Sequence, residues 1–393
     1  MKNNKLVVAQ IGCGKFAQSQ DLPNIGNHPQ LELKWCCDIN AGHAAEMANK
    51  YGATHSTADF NEVIADPEVD LIKIATTHEV HLPIIEAAAA RGIHIFCEKP
   101  MAMEITEAYK IIRAVRRNNV KMCVDLNRRM APSMHALRER WLRQTANPQH
   151  QSWRYIETTR PMMAEEDCTN LLINIQDESS SYGMGHMDPL YGGGIIIGES
   201  VHWLDLACWF FAPQLPIEIT AWGSSRLSHG ITLKFNGGDS ATLVFSNSGT
   251  FDYPKEMYQV SSKAALFQNL FFVENRYWGM PDAQPEFFPL QYDPFTREVP
   301  EQGFESYMKK YRLHTERAGD NLKKIENAKP LMVDKGHVGM WNGFIDAILN
   351  GKPSPCDEIA GFMSTYLAQL AIQSIELKQT LPVPIEKITP VFV

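Results

Sequence analysis

The alternation of short apolar runs with helix-like segments over the first third of the chain restricts its fold more than any other feature. Lys5 to Ile11 is a β-branched apolar run, followed at once by Gly12-Cys13-Gly14-Lys15-Phe16-Ala17 and a polar, helix-like stretch. Leu31 to Cys37, Val69 to Thr76, Ile93 to Cys97 and Lys121 to Leu126 read as further strands, with helices at His81 to Arg91 and Glu104 to Asn118 among them. Gly92 is placed to end the first of these helices. Strands separated by helices build a parallel, doubly wound sheet whose ligands gather at the carboxyl ends of the strands.

The glycine turn says what that ligand is. In a GxGxxA turn the first glycine closes the turn and the second lets backbone approach a pyrophosphate, while Ala17 lets helix pack on strand. Backbone N–H groups at the helix start then hold the phosphates. Glycine pairs also mark ordinary turns, so Asp38 matters: it ends the second strand roughly 20 residues on, where a carboxylate can accept from ribose hydroxyls. Ile39 and Asn40 follow it without a positive charge for a 2′-phosphate, which points to NAD rather than NADP.

At 393 residues the chain is long enough for two domains, expected at 1–130 and 131–393. Lys plus Arg number 37 against 45 Asp plus Glu, a formal charge of -8 with no block of like charge, which argues against nucleic acid as a partner. The opening MKNNKLVVAQIG is unlike a signal peptide, and no run approaches the roughly 18 apolar residues of a membrane span. A cytoplasmic protein without a membrane partner is expected. The eight cysteines show no CxxC pair or zinc spacing and read as reduced, buried thiols, with no metal site.

At the carboxyl end of the Ile93 to Cys97 strand stands Glu98-Lys99-Pro100. With the Gly12 to Ala17 turn, Asp38, Ala75 to His81, Leu126-Asn127-Arg128-Arg129 and Gly192-Gly193-Gly194 leading to Glu199-Ser200-Val201-His202, the chain resembles the Gfo/Idh/MocA family, named for glucose-fructose oxidoreductase and inositol dehydrogenase. The likeness covers nearly the whole chain. It implies an α/β protein: an N-terminal doubly wound Rossmann domain, then an α/β domain with an open, mainly antiparallel sheet. It also implies NAD as cofactor, a sugar or polyol as substrate, and a homo-oligomer. Cofactor contacts carried over are Gly12, Gly14, Lys15, Phe16, Ala17, Asp38, Thr76, His81, Glu98 and Lys99; substrate contacts are Lys99, Arg128, His186, Asp188, Glu199 and His202.

The chemistry can be argued beside the resemblance. Oxidising a secondary alcohol moves a hydride to a nicotinamide while something takes the hydroxyl proton. Lys99, at a strand end, can polarise that hydroxyl; His202, at the start of the apolar run Val201 to Phe211, can accept the proton. Many relatives carry Asp four residues before the histidine, where this chain has Gly198 with Glu199 beside it. Glu199 either orients His202, binds a substrate hydroxyl, or is a helix-start carboxylate. Asp205 is open to the same readings, with capping and packing ahead.

Beyond Ala131 the alternation stops. Ser152 to Arg160, Ile217 to Ser224, Ile231 to Phe235 and Ser240 to Ser246 read as antiparallel strands, with Asn236-Gly237-Gly238-Asp239 as a hairpin turn and closing helices at Val338 to Asn350 and Asp357 to Lys378. The loop Tyr182 to Pro189 brings His186 and Asp188 towards His202. Asn275 to Phe304 reads as a long aromatic loop, with Tyr277, Trp278, Phe287, Phe288 and Tyr292 forming either a sugar wall or a satellite core. The function expected is a sugar or polyol dehydrogenase. The alternatives are a glycoside hydrolase working by transient oxidation on NAD and a non-catalytic NAD-binding sensor, the latter disfavoured by retention of Lys99 and His202.

Overall fold

The computed structural model describes residues 5–146, 168–177, 192–249, 253–289, 302–309 and 333–385. Strands β1 (Leu6–Ile11), β2 (Leu31–Cys37), β3 (His55–Thr57), β4 (Leu71–Ile74), β5 (His94–Cys97) and β6 (Met122–Val124) pair in parallel in the order β3-β2-β1-β4-β5-β6. This is the doubly wound order, and the reversal between β1 and β4 opens a crevice at the strands' carboxyl ends. Every residue of β1 and β4 is buried, as strands covered by helices on both faces require. The helices are α1 (Leu22–Asn27), α2 (Ala41–Tyr51), α3 (Phe60–Ala65), α4 (His81–Ala90) and α5 (Ile105–Arg117). The segment after the glycine turn is less regular than its sequence suggests: Ala17–Asp21 is wound with the wider i→i+5 bonding before α1 begins. Pro23, at the start of α1, has no N–H to give to the preceding turn.

The second sheet is open and mainly antiparallel. Its strands are β7 (Asn170–Gln176), β8 (Pro216–Gly223), β9 (His229–Phe235), β10 (Ser240–Ser246), β11 (Glu256–Ser262), β12 (Ala265–Leu270), β13 (Glu274–Trp278), β14 (Glu286–Phe287) and β15 (Leu381–Pro382). They lie in the order β14-β13-β12-β11-β7-β10-β9-β8-β15, and β7 with β10 is a parallel pair. Burial alternates along β11 and β10, the period-2 signature of a sheet covered on one face. The covering layer includes α6 (Pro132–Ala146) and α7 (Val201–Phe211), through ring contacts such as Trp141 with Phe210 at 4.8 Å and Phe211 with Phe235 at 4.9 Å.

One expectation changes here. The stretch from Asn275 is not a plain loop: it supplies β13 and β14 at one edge of the sheet, as the β preference of its aromatic residues favours. Tyr277 is buried and donates to Glu286 Oε2 at 2.6 Å, while Trp278 and Phe287 are exposed on that edge. Ser152 to Arg160 and Tyr292 lie outside the described residues.

The chain then returns to its first sheet. Helices α8 (His337–Asn350) and α9 (Glu358–Leu377) pack on the parallel half, with Phe96 of β5 against Trp341 at 4.6 Å and Tyr109 of α5 against Phe362 at 4.9 Å. Asp357 caps α9 by accepting from Ile359 N and Ala360 N. Of the cysteines, all are free thiols; Cys168 and Cys208 are half-buried and the rest buried. Among the described residues no helix is long and apolar enough to cross a membrane.

Candidate active site

A cleft of about 520 Å³ opens at the carboxyl ends of β4, β5 and β6. Each of these strands ends in residues that line it: Ala75 to His78 after β4, Glu98 and Lys99 after β5, and Asp125, Asn127 and Arg128 after β6. Phe16 comes from the glycine turn, Gly192, Glu199 and His202 from the approach to α7, and Lys335 and His337 from the approach to α8.

Lys99 is held by two acceptors. Its Nζ donates to Gly198 O and to Glu199 Oε1, both at 2.6 Å. Burial by itself would raise the Glu199 carboxyl, but the ammonium of Lys99 and then that of Lys255 outweigh it and hold the group at about 2. Glu199 stands on the turn Ile196–Ser200, again wound with i→i+5 bonding, so the three-residue spacing of an α-helix does not stack it on His202. It makes an ion pair with Lys99 and approaches Lys255 at 4.0 Å, and makes no hydrogen bond to His202. The position where many relatives have Asp is Gly198, and its carbonyl takes one of the lysine's N–H groups.

His202 opens α7 and is 4% exposed, with Nδ1 buried and without a partner among the described residues. Burial, then the nearby charges of Arg128 and Lys99, push its pKa well below the usual imidazole value. At neutral pH the ring is therefore uncharged. Asp205, one turn on, belongs to a different pairing: Arg129 Nε donates to its Oδ2 at 2.9 Å, Asp205 is buried and Arg129 half-buried, and neither lines the cleft.

Two buried charge clusters support the floor and one wall. Beneath the floor, Lys73 of β4 is fully buried, with Nζ 2.6 Å from Glu98 Oε1 and 3.3 Å from both Asp125 Oδ2 and Asp21 Oδ1. The three carboxylates lie close enough to hold a cation, and the ammonium fills that place. One positive charge cannot keep three buried carboxylates ionised. Burial raises Glu98 well above its usual range and Asp21 to about 7. Asp125 is held low: burial would raise it, but Lys73 and His337 outweigh that effect.

In the wall, the fully buried Glu256 of β11 accepts from Arg128 Nε at 3.2 Å and Nη2 at 2.9 Å, Trp203 Nε1 at 3.0 Å, Tyr258 Oη at 2.6 Å and Lys335 Nζ at 2.8 Å. His337 ties the two clusters to the glycine turn, with Nδ1 3.6 Å from Asp125 Oδ2, Nε2 accepting from Asn127 Nδ2 at 3.1 Å, and its ring edge-on to Phe16 at 5.8 Å.

Residues 6–126 match the family profile described as "Oxidoreductase family, NAD-binding Rossmann fold" (GFO_IDH_MocA). An uncharacterized oxidoreductase of Bacillus subtilis, YrbE, is 31% identical over 272 residues, 66% of this chain and 73% of that protein. The chain belongs to the Gfo/Idh/MocA oxidoreductase family. Another relative, the D-glucoside 3-dehydrogenase of Escherichia coli, is 24% identical over 256 residues, 64% of this chain and 68% of the relative. Among solved structures, a levoglucosan dehydrogenase in complex with NADH and levoglucosan superposes with a TM-score of 0.73 at 17% identity, covering 97% of this chain and 100% of the other, a likeness of fold.

The residues present fit the family's NAD. Gly12 has φ +85, and a Cβ there would lie 2.3 Å from Ala75 O, so the turn admits no side chain. Gly14 is exposed with nothing within 4 Å of its Cβ position, which leaves a backbone face open to a pyrophosphate. Asp38 ends β2 and fixes the turn by accepting from Cys13 N and Asn40 N, each at 3.0 Å. A carboxylate has lone pairs left for ribose hydroxyls after these two bonds.

Of the family's expected contacts, Phe16, Thr76, Glu98, Lys99, Arg128, Glu199 and His202 share the cleft. Lys15 is exposed, and Ala17 is buried under the turn. His81 does not reach the lining: it is fully buried, its Nδ1 donates to Pro100 O at 3.0 Å, and burial lowers it to about 4. It braces the turn that carries Lys99. His186 and Asp188 lie outside the described residues. Sequence reasoning passed over Lys73, Asp125, Glu256, Lys335 and His337. Lys73 did leave a signal, since it interrupts the apolar strand Leu71-Ile72-Lys73-Ile74.

Proposed function

We propose that the protein oxidises a secondary alcohol of a sugar, glycoside or cyclic polyol at this cleft. Bound NAD supplies the hydride acceptor. The observation that carries the reading is the convergence of Lys99 and His202, from two different sheets' surroundings, on one cleft. Lys99, steadied by Gly198 O and Glu199, directs its remaining N–H at the substrate oxygen and stabilises negative charge developing there. His202, kept neutral by burial, accepts the hydroxyl proton on its imidazole. Glu199 is a positioning residue for Lys99, the part an Asp at the Gly198 position would otherwise be suited to share. NAD would be held by Gly12, Gly14 and Asp38, with Thr76 and Glu98 next to it in the cleft. Relatives named as D-glucoside 3-dehydrogenase and levoglucosan dehydrogenase support the substrate class.

The test follows NADH and sugar oxidation together over a panel of free sugars, cyclitols and aryl glycosides with excess NAD. NADH is expected in proportion to oxidised sugar. Lys99→Ala and His202→Ala should each lower turnover by about 10² or more while NAD binding persists. Wild-type turnover in either variant would remove that residue's role. Aglycone release without matching NADH would replace the dehydrogenase with redox-assisted hydrolysis.

A further inference from the structure

The wall built on Glu256 has more positive than negative charge. Among the described residues, Arg128 and Lys335 both line the cleft and both pair with the single carboxylate of Glu256. That carboxylate also takes the Trp203 and Tyr258 donors, so its lone pairs are spent. The other acids of the lining are engaged elsewhere: Glu199 with Lys99, and Glu98 and Asp125 with Lys73. A guanidinium cannot shed its proton, and a buried cation without a counter-charge is costly.

The backbone fixes the excess charge in place. Gly336 has φ +97, and a Cβ there would sit 2.2 Å from Asn127 O, so the Lys335-Gly336-His337 segment is wedged against the turn that bears Arg128. Asn127 Nδ2 donates to Lys335 O at 2.8 Å and completes the wedge. Lys335 Nζ stands 4.8 Å from the Phe271 ring centre and 5.6 Å from that of Phe272, and among the described residues it pairs with no second acid. Its pKa falls to about 8: burial lowers it, Glu256 opposes, and Arg128 and Lys255 add to the fall.

We infer that the cleft takes a sugar or polyol carrying an anionic group, a carboxylate or a phosphate ester, seated on Arg128 and Lys335. The inference rests on the proposed sugar oxidoreductase reading and narrows its substrate. A second anion beside Glu256 would balance two cations with two anions in a site sheltered from water, where charge-assisted bonds are strongest.

The experiment uses enzyme saturated with NADH, so that the cofactor's own phosphates are already bound. Calorimetric titration compares matched ligands in the gluco, galacto and manno series: the neutral methyl glycoside, the uronate and the hexose 6-phosphate. At least one anion should bind about tenfold or more tightly than its neutral partner. Preference for the uronate assigns a carboxylate, and preference for the hexose 6-phosphate a phosphate ester. Lys335→Met should remove about tenfold of the anion's affinity and change the neutral ligand by less than about threefold. Lys335→Arg should retain the preference, and added salt should weaken the anion selectively in the wild type, so the test survives a poorly folding Met variant. Equal binding of anion and neutral partner, or no binding of either, overturns the inference. So does a loss of NADH affinity in Lys335→Met, which would give the charge to the cofactor. Turnover of neutral sugars without anion preference overturns the inference and leaves the dehydrogenase standing. Tight anion binding without NADH formation from any sugar retires the dehydrogenase and leaves the anion subsite.

Discussion

The two buried charge clusters err in opposite directions, and the protein absorbs the error differently in each. Around Lys73 three carboxylates share one ammonium; around Glu256 one carboxylate serves a guanidinium and an ammonium. An excess of acid can be removed by keeping protons, which is what Glu98 and Asp21 do when burial raises them. An excess of base cannot be removed so simply when one of the bases is arginine, and the whole adjustment falls on Lys335. The acid-rich cluster shows the cleft only Glu98 and Asp125, with Lys73 and Asp21 behind them, and is neutralised within the fold. The base-rich cluster turns both its cations to the cleft, and there a ligand can complete it.

Removing the central charge of each cluster should break this symmetry. Lys73→Met leaves the buried Asp125 with only the longer contact to His337 and should cost about 3–5 kcal/mol in chemical denaturation. A cost under about 1 kcal/mol would mean that the carboxyls simply protonate and that the cluster holds no necessary ion pair. Glu256→Gln leaves Arg128 and Lys335 facing each other, but Lys335 is partly open to the cleft and can give up its proton. The loss should therefore be smaller, about 2 kcal/mol, and added sulfate or phosphate should restore part of it by binding the wall.

The pH dependence sharpens the comparison most, because the two clusters should tilt stability with pH in opposite senses. Asp21 keeps its proton in the folded state up to about 7, whereas the unfolded chain loses it near 3.8. Its contribution is fully present below 3.8 and is lost as pH rises through about 7. Lys335 releases its proton near 8 when folded and near 10.5 when unfolded. Its contribution is present above 10.5 and lost as pH falls through about 8. Each slope is at most about 1.4 kcal/mol per pH unit. Urea midpoints against pH for wild type, Asp21→Asn and Lys335→Met should show each variant flattened in its own window. Identical curves would refute the assignment.

The parallel half of the fold, with its glycine turn, Asp38 and Lys99, was legible because each feature is local: a strand, a turn and a strand-end residue within a few positions. His202 was singled out through the family resemblance, with the glycine run before it as the local mark. The wall was not, because Arg128, Glu256 and Lys335 come from three distant stretches and carry no spacing that sequence can register. Glu256 merely begins an alternating strand, and Lys335 precedes a helix that reads as structural. Glu199 was visible, but its partner was not, since the i→i+5 turn that points it at Lys99 rather than His202 has no clear mark in Ile-Ile-Gly-Glu-Ser.

The grip of Gly198 O and Glu199 on Lys99 has a stereochemical consequence. An ammonium offers three N–H groups at tetrahedral angles, and two of them are already directed into the second half of the molecule. One direction is left for a substrate oxygen. On the proposed reading, that third N–H and the imidazole of His202 at the head of its helix would fix two of the three points that a carbinol centre must meet, and the hydride acceptor would supply the third. The choice between a hydroxyl and its epimer would then be set in part by the grip that already holds the lysine.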